Sequence, residues 1–501
     1  MNPESTAPAY GRLGMLIDGR WVYEAEGSSD VVNPATGQTI ARLPHASDSE
    51  IAEAVASSQR AFESWKDRSP LERSHILRRF ADLARKHAEE IAANMTLDQG
   101  KPLGEAIGEV RFAADHADWH AEEARRTYGR IIPSRDPRVQ QMVVREPVGV
   151  CVAFTPWNFP FSQALRKVVA ALASGCTIIL KGPGESPSST VAIGRLMQEA
   201  GLPDGCLNIV WGDPAHLSES LLGAPEVRKL SFTGSVGVGK HLASLAGKYM
   251  KRSTMELGGH APVIVFDDAD IEAAADALAG QKVRNAGQVC ISPTRFYVQA
   301  KEHDRFLARF TERIASTKVG DGFQEGVQMG PLCHSRRLAA MEDFVQDARE
   351  QGATIVTGGE RIGNAGFFYA PTVVAGGTDE LRLMKAEPFG TDCRRHALRQ
   401  FRRGDPARQQ PALRSCFLCV HRFEQPSAAR CPSSCRRDGK HQSFRPCPAG
   451  NPLRRDQRQR LWQRGGVGDT RRLSEHQVRH PIRPDPAVNL SDQRNDKEDH
   501  V

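Results

Sequence analysis

Three long stretches in the first quarter of the chain repeat apolar residues every three to four positions, over Ser49–Asp67, Leu71–Asp98 and Leu103–Tyr128. That is the period of amphipathic helices with one face turned to a core. Before them MLIDGRWV, and then VVNPATG with its turn signal, read as short strands, and Val139–Val144 reads as another. Beyond it the texture changes to short apolar runs: VCVAF ending at Phe154, TIIL at Leu180, LNIVW at Trp211 and KLSF at Phe232. Each run leads into a polar, Gly/Pro-rich turn and then a helical pattern. Repetition of strand, turn and helix predicts a parallel sheet with crossover helices, whose ligands bind beyond the carboxyl ends of the strands. The turns TPWNFP, KGPGESP, GDP and TGSVGVGK are therefore where chemistry is to be sought. After Leu257 a second alternation begins with APVIVF, a helix around Ile271–Arg284, RFYVQA and a helix near Lys301–Thr317. It predicts a second α/β domain.

With 501 residues, 40% hydrophobic and 25% charged, the chain has the interior of a soluble protein of two or three domains. Its start lacks a basic region followed by an apolar stretch, and no run of eighteen apolar residues occurs, so the expected location is the cytoplasm with no membrane partner. A net charge of +7 suggests an acidic partner until its distribution is examined. Residues 391–501 hold 22 Arg, 2 Lys and 12 acidic residues, a net of +12, which leaves residues 1–390 at −5. The main body is mildly acidic and does not call for nucleic acid. Its five cysteines, Cys151, Cys176, Cys206, Cys290 and Cys333, read as reduced thiols; the other six of eleven lie in the tail.

TGSVGVGK, Thr233–Lys240, comes close to two phosphate-binding patterns. As a P-loop it fits through Gly234, Gly239 and Lys240, but His241 stands where a hydroxyl must reach Mg²⁺. As a dinucleotide site, its glycines let a helix N-terminus approach a pyrophosphate, with Ser235 adding a hydroxyl. An ordinary Gly-rich turn is the plain alternative. Cys290, in RNAGQVCISPTR, taken alone reads as a buried small hydrophobe. Its company argues otherwise: Glu256 in MELGGH offers a general base, and Asn158 in TPWNFP an amide donor at a strand end. Nucleophile, base and oxyanion donor are the parts of covalent acyl chemistry.

TPWNFP, the strand ending in Lys181, FTGSVGVG, MELGGHAPVIVFDDAD, NAGQVC and EPFG stand in the order and spacing of the aldehyde dehydrogenase superfamily. The chain resembles that superfamily over about residues 12–390, and within it the succinate-semialdehyde dehydrogenases. The resemblance implies an α/β fold of two parallel-sheet domains, a Rossmann-like cofactor domain over 12–256 and a catalytic domain over 257–390. It also implies a small oligomerisation hairpin over 128–147 and a homodimer or homotetramer. Cys290 would attack the aldehyde, Asn158 and the Cys290 amide would hold the oxyanion, and Glu256 would activate the hydrolytic water. Lys181 would bond the adenosine ribose and Ser235 with Gly234 and Gly239 the pyrophosphate. Trp157, Glu387 and Phe389 would line the nicotinamide half. The family's ribose carboxylate falls on Gly184 here, with Glu185 beside it, so NAD is the expected cofactor and NADP its alternative. No metal is implied.

Arg284, six residues before the nucleophile, and Arg166, after TPWNFP, match positions where succinate-semialdehyde dehydrogenases hold the substrate carboxylate. Two guanidinium groups would favour an ω-carboxylate, in succinate semialdehyde or in glutarate or 2-oxoglutarate semialdehyde. They read equally as surface or structural cations. An esterase-like or acyl-transferring use of Cys290 is the competing enzyme reading. The tail invites a third: Cys416, Cys419, Cys431 and Cys435 with His421 and His441 are loosely zinc-like, without finger spacing or interleaved aromatics for nucleic acid.

At Gly390 the resemblance stops. The segment that follows has one isoleucine and no tyrosine or methionine in 111 residues, and no sustained amphipathic period. Reread one base later with permissible synonymous codons, TDCRRHALRQF becomes PIAAVTPFGNF and QQPALRSCFLCVHRF becomes NNLPFGLASYVFTGS. AGNPLRRDQRQRLWQRGG becomes PETPFGGIRDSGYGSEG, and LSEHQVRHP becomes YLNTKFVT. These resemble the family's missing C-terminal segments in order, so residues 391–501 are expected to be an out-of-frame tail without regular structure, and the chain to be unstable or inactive.

Overall fold

The computed structural model describes residues 10–398, 418–420 and 474–479, the last two stretches and 392–398 by backbone alone. The four apolar runs form the strands Val150–Phe154, Thr177–Lys181, Leu207–Ile209 and Val227–Gly234, paired in parallel. Every residue of VCVAF is buried, as a parallel strand covered by helices on both faces must be. The parallel strand Arg252–Leu257 adds one edge and the antiparallel hairpin Met15–Ile17/Arg20–Val22 the other, completing seven strands. Strand order reverses at Val150–Phe154, which has Thr177–Lys181 on one side and Val227–Gly234 on the other. That is the switch point of an open α/β sheet, and TPWNFP and TGSVGVGK leave from its two lips.

The second alternation forms a six-stranded sheet in the order Thr354–Thr357, Thr372–Ala375, Asp392–Leu398, Pro293–Gln299, Ala261–Val265, Leu418–Val420. Helices Ile271–Val283 and His303–Ala315 pack on it through Leu278, Phe306, Phe310 and Ile314. A small sheet joins Arg130–Ile132, Gln141–Pro147 and Ser474–Arg479, and a separate hairpin joins Gly27–Val32 to Thr39–His45.

Two of the predicted helices are placed as read, Asp48–Trp65 and Leu103–Ala124, whereas Leu71–Asp98 is two, Pro70–Lys86 and Ala88–Gln99. The chain breaks at His87, whose φ of −98° and ψ of 15° leave the helix. The buried stripe runs on through Ala84, Ala88, Ile91 and Met95, so apolar period could not reveal the break. The lack of regular structure expected beyond Gly390 does not hold for the strands Asp392–Leu398, Leu418–Val420 and Ser474–Arg479. Of the zinc-like set, only the Cys419 backbone falls within the described residues; Cys416, Cys431, Cys435, His421 and His441 lie outside them. Among the described residues no helix is long and apolar enough to cross a membrane.

Candidate active site

The strand Val150–Phe154 delivers Asn158 into the interior, and Pro160 then opens the helix Pro160–Ala173 in the first-turn position that tolerates a missing N–H. The Asn158 amide nitrogen donates to the carbonyl of Gln288 at 2.9 Å. An amide nitrogen carries two protons, so one remains for a ligand. Asn158 Oδ1 is buried and has no hydrogen-bond partner among the described residues.

Gln288 belongs to the loop that carries Cys290. After the helix Ile271–Val283, Asn285, Ala286 and Gly287 all lie in the left-handed region, at φ of 48°, 52° and 73°. Two non-glycine residues there cost of order 1 kcal/mol each or more, and must be held by their surroundings. They are: the Asn285 amide nitrogen donates to the Asn158 carbonyl at 2.8 Å, its Oδ1 accepts from Gln99 at 2.9 Å, and its backbone N–H donates to Glu105 at 3.1 Å. Gln288 closes the loop by donating to the Asn285 carbonyl and accepting from the Cys333 N–H. Gly287 is obligatory, because a Cβ would stand 1.9 Å from the Gly390 carbonyl oxygen. That carbonyl also accepts from the buried Lys282 at 2.8 Å. Asn158 and the loop leading to Cys290 are thus one hydrogen-bonded unit. Cys290 itself is half-buried, whereas Cys151, Cys176, Cys206 and Cys333 are buried.

Glu256 lies on the edge strand Arg252–Leu257, exposed, and without a hydrogen bond or ion pair among the described residues. Gly258, two residues on, makes room for Glu387: a Cβ there would meet Glu387 Oε2 at 2.1 Å. Burial raises the Glu387 carboxyl to about 7, against the pull of the Gly259 N–H, Arg337 and Lys282. Phe389 is held at a positive φ of 45° and meets Trp157 edge-on at 5.4 Å between centroids, with His334 on Trp157 at 5.1 Å.

The TGSVGVGK turn opens the helix Val236–Lys248, with Ser235 as its N-cap, accepting from the Val238 N–H. Gly239 packs its backbone on Leu257, where a Cβ would come within 2.3 Å. The exposed first turn, with nothing within 4 Å of a Cβ on Gly237, leaves helix amides open to an anion. Lys181 ends its strand at the same edge of the sheet, its pKa lowered by burial. These residues fit a dinucleotide. Glu185 accepts from Arg336 at 2.6 Å. Gly184 is open, the nearest atom to a Cβ being Leu43 Cδ2 at 4.0 Å.

Arg166 and Arg284, read from the sequence as candidates for a substrate carboxylate, are held by different partners. Arg166 meets His116 Nε2 at 3.2 Å. Arg284 lies 3.6 Å from Glu105, 5.1 Å over the Phe159 ring, with 54% of its side chain exposed. Both flank the helix Leu103–Ala124, which carries Glu105 and His116. Lys101, Asn285, Gln288, Arg336 and Lys282 were not singled out by sequence reading. A lysine and amides in polar turns look solvated until their distant partners are known.

With this geometry in place, the comparisons with known proteins are specific. Residues 21–391 match the aldehyde dehydrogenase family. The chain belongs to that family and is an oxidoreductase of it. It is 44% identical to the mitochondrial succinate-semialdehyde dehydrogenase of Arabidopsis thaliana over 376 residues, 75% of this chain and 71% of that protein. It is 40% identical to the NADP⁺-dependent succinate-semialdehyde dehydrogenase GabD of Escherichia coli (strain K12), over 76% of this chain and 79% of that one. Among solved structures, the aldehyde dehydrogenase from Brucella melitensis biovar abortus 2308 superposes with a TM-score of 0.76 at 39% identity, covering 80% and 82% of the two chains.

Proposed function

We propose that the chain's active site oxidises a semialdehyde carboxylate, succinate semialdehyde first, to the dicarboxylic acid. One observation carries the chemistry: the Asn158 amide and the loop leading to Cys290 are joined through the Gln288 carbonyl, with an amide proton left over. Cys290 Sγ attacks the carbonyl carbon, forming a C–S bond as the electron pair moves to oxygen. The remaining Asn158 N–H and the Cys290 backbone N–H hold that oxyanion. A bound nicotinamide supplies the acceptor for the hydride that leaves as the carbonyl re-forms. Glu256, exposed and unpaired, takes a proton from water, whose oxygen attacks the thioester carbon; the thiolate leaves and the acid is released. Lys181, Ser235, Gly234 and Gly239 hold the cofactor's adenosine and pyrophosphate, and Trp157, Glu387 and Phe389 its nicotinamide half. The test is formation of reduced nicotinamide on addition of aldehyde; ester turnover without it would favour the esterase reading.

NADP is accepted beside NAD in this reading, because Glu185 is engaged by Arg336 and Gly184 leaves the ribose position empty. Gly184→Glu is expected to weaken NADP at least tenfold, about 1.4 kcal/mol, and to leave NAD nearly unchanged. Equal effects on both in binding titrations would remove residue 184 from cofactor choice.

The relatives' names and the Arg166/Arg284 pair support a carboxylate substrate, with glutarate or 2-oxoglutarate semialdehyde as the alternatives. Arg166→Ala is expected to lower kcat/KM for succinate semialdehyde by about 2–5 kcal/mol more than for an uncharged aldehyde of similar length. Arg284→Ala should cost less, since that side chain is more than half exposed and already beside Glu105. Equal losses for both substrates would make the arginines structural. A homodimer or homotetramer through the 128–147 hairpin is part of the same proposal, supported by Tyr128 and Ile131 at 71% and 74% exposure.

A further inference from the structure

Lys101 and Glu109 form an ion pair of 2.5 Å with side chains 0% and 2% exposed. Burying both charges is costly, and an apolar pair of the same volume would often give a chain at least as stable. What this pair supplies is position. Lys101 Nζ also donates to the Asn158 backbone carbonyl at 2.9 Å and sits 4.2 Å over the Phe159 ring. Glu109 uses its other oxygen to accept from the N–H groups of Phe161 and Ser162, at 3.1 and 3.0 Å, in the first turn of Pro160–Ala173. Those amides have no partner inside the helix. The backbone is therefore held at Asn158 and again three and four residues on.

The same pair reaches the nucleophile loop. The Lys101 N–H donates to Gln99 Oε1 at 3.1 Å, Gln99 Nε2 donates to Asn285 Oδ1 at 2.9 Å, and Asn285 Nδ2 donates to the Asn158 carbonyl that Lys101 holds. Lys101, Gln99, Asn285 and Asn158 close a ring of hydrogen bonds. The ring spans the oxyanion amide on one side and, through Asn285 and Gln288, the approach to Cys290 on the other.

We propose that Lys101, with Glu109, is a positioning residue for the oxyanion site: it fixes the Asn158 amide relative to the Cys290 thiol and touches neither substrate nor cofactor. This rests on the reading of Cys290 as nucleophile and Asn158 as oxyanion donor. Two thiol reagents separate position from reactivity. With p-nitrophenyl acetate, Cys290 Sγ bonds to the acyl carbon through a tetrahedral oxyanion and p-nitrophenolate leaves. With iodoacetamide, Sγ bonds to the methylene carbon and iodide leaves, with no oxyanion to hold.

Lys101→Met alone strands the buried Glu109 carboxylate, so the double variant Lys101→Met/Glu109→Gln is measured beside it in the full-length chain with the frame restored near Gly390. In the double variant, acylation by p-nitrophenyl acetate is expected to fall about 100-fold, the scale of a misplaced reacting group or a lost oxyanion donor. Alkylation by iodoacetamide is expected to keep its rate. Unchanged acylation, or a parallel fall in both rates, would overturn the positioning role. Absence of acylation in the frame-restored chain without substitutions would overturn the nucleophile reading and the positioning role with it, and is recognised because it needs no substitution.

Discussion

Replacing Cys290 by serine abolishes aldehyde oxidation in a chain carrying a family-like C-terminus, a loss of at least about 10³-fold. In the proposed mechanism the thiolate is the nucleophile, and a serine hydroxyl near neutral pH is a far weaker one. Individual replacement of Cys151, Cys176, Cys206 or Cys333 leaves the chemistry in place. Burial pushes the Cys206 thiol up to about 12 and raises Cys333 well above the usual thiol range, so neither supplies thiolate. Of the five thiols whose side chains are described, Cys290 alone reaches solvent. Rates of reduced-nicotinamide formation check the expectation, and substantial turnover by the serine variant would sink the assignment.

Restoring one base near the Gly390 codon is expected to convert an unstable or inactive chain into a soluble oligomer with NAD(P)-dependent aldehyde oxidation. The fold sharpens the reason. Asp392–Leu398 occupies a central slot between Thr372–Ala375 and Pro293–Gln299, beside Val373, Val374, Phe296 and Val298, all buried. A strand in such a slot should be an apolar run. The chain as written brings DCRRHAL there; the shifted frame brings IAAVTPF. A charge that such a position buried would carry an effective penalty of several kcal/mol, a large fraction of the roughly 5–15 kcal/mol that holds a domain folded. The slot of Leu418–Val420, next to Ala261–Val265, takes YVF in the shifted frame, and that of Ser474–Arg479, against Gln141–Pro147, takes LNTKFV. The match to the family ends at residue 391, which is where the frame-shift account expects it to end. Sedimentation, limited proteolysis and activity of the two chains are the measurements. A stable, active oligomer from the 501-residue chain, with a protease-resistant tail, would refute the frame-shift account.

What could be read from the sequence is what local pattern records. Apolar runs such as VCVAF and APVIVF announce buried strands, and Asn158 and Cys290 stand in motifs of fixed spacing. The edge strand Arg252–Leu257 escaped because RSTMEL has no continuous apolar run, one side of it being open. Gln99 and Asn285, 186 residues apart, gave no sign of each other. Glu185 gave no sign of its partner Arg336, 151 residues on. Pairings at such separation are products of the fold and leave no periodic trace.

The Gly390 carbonyl closes the nucleophile loop through Lys282 and leaves no space beside Gly287. It is also the last landmark before the point where the frame-shift account has the two reading frames diverge. A slip a few codons upstream would erase Glu387 and Phe389 and unseat the loop itself, whereas one placed after Gly390 would spare the carbonyl that Lys282 holds. On the frame-shift account the lesion would therefore cut between two heritable modules: the proposed apparatus for forming the acyl-enzyme would be encoded intact, and the parts lost would be those expected to close the second sheet and join one copy of the chain to another.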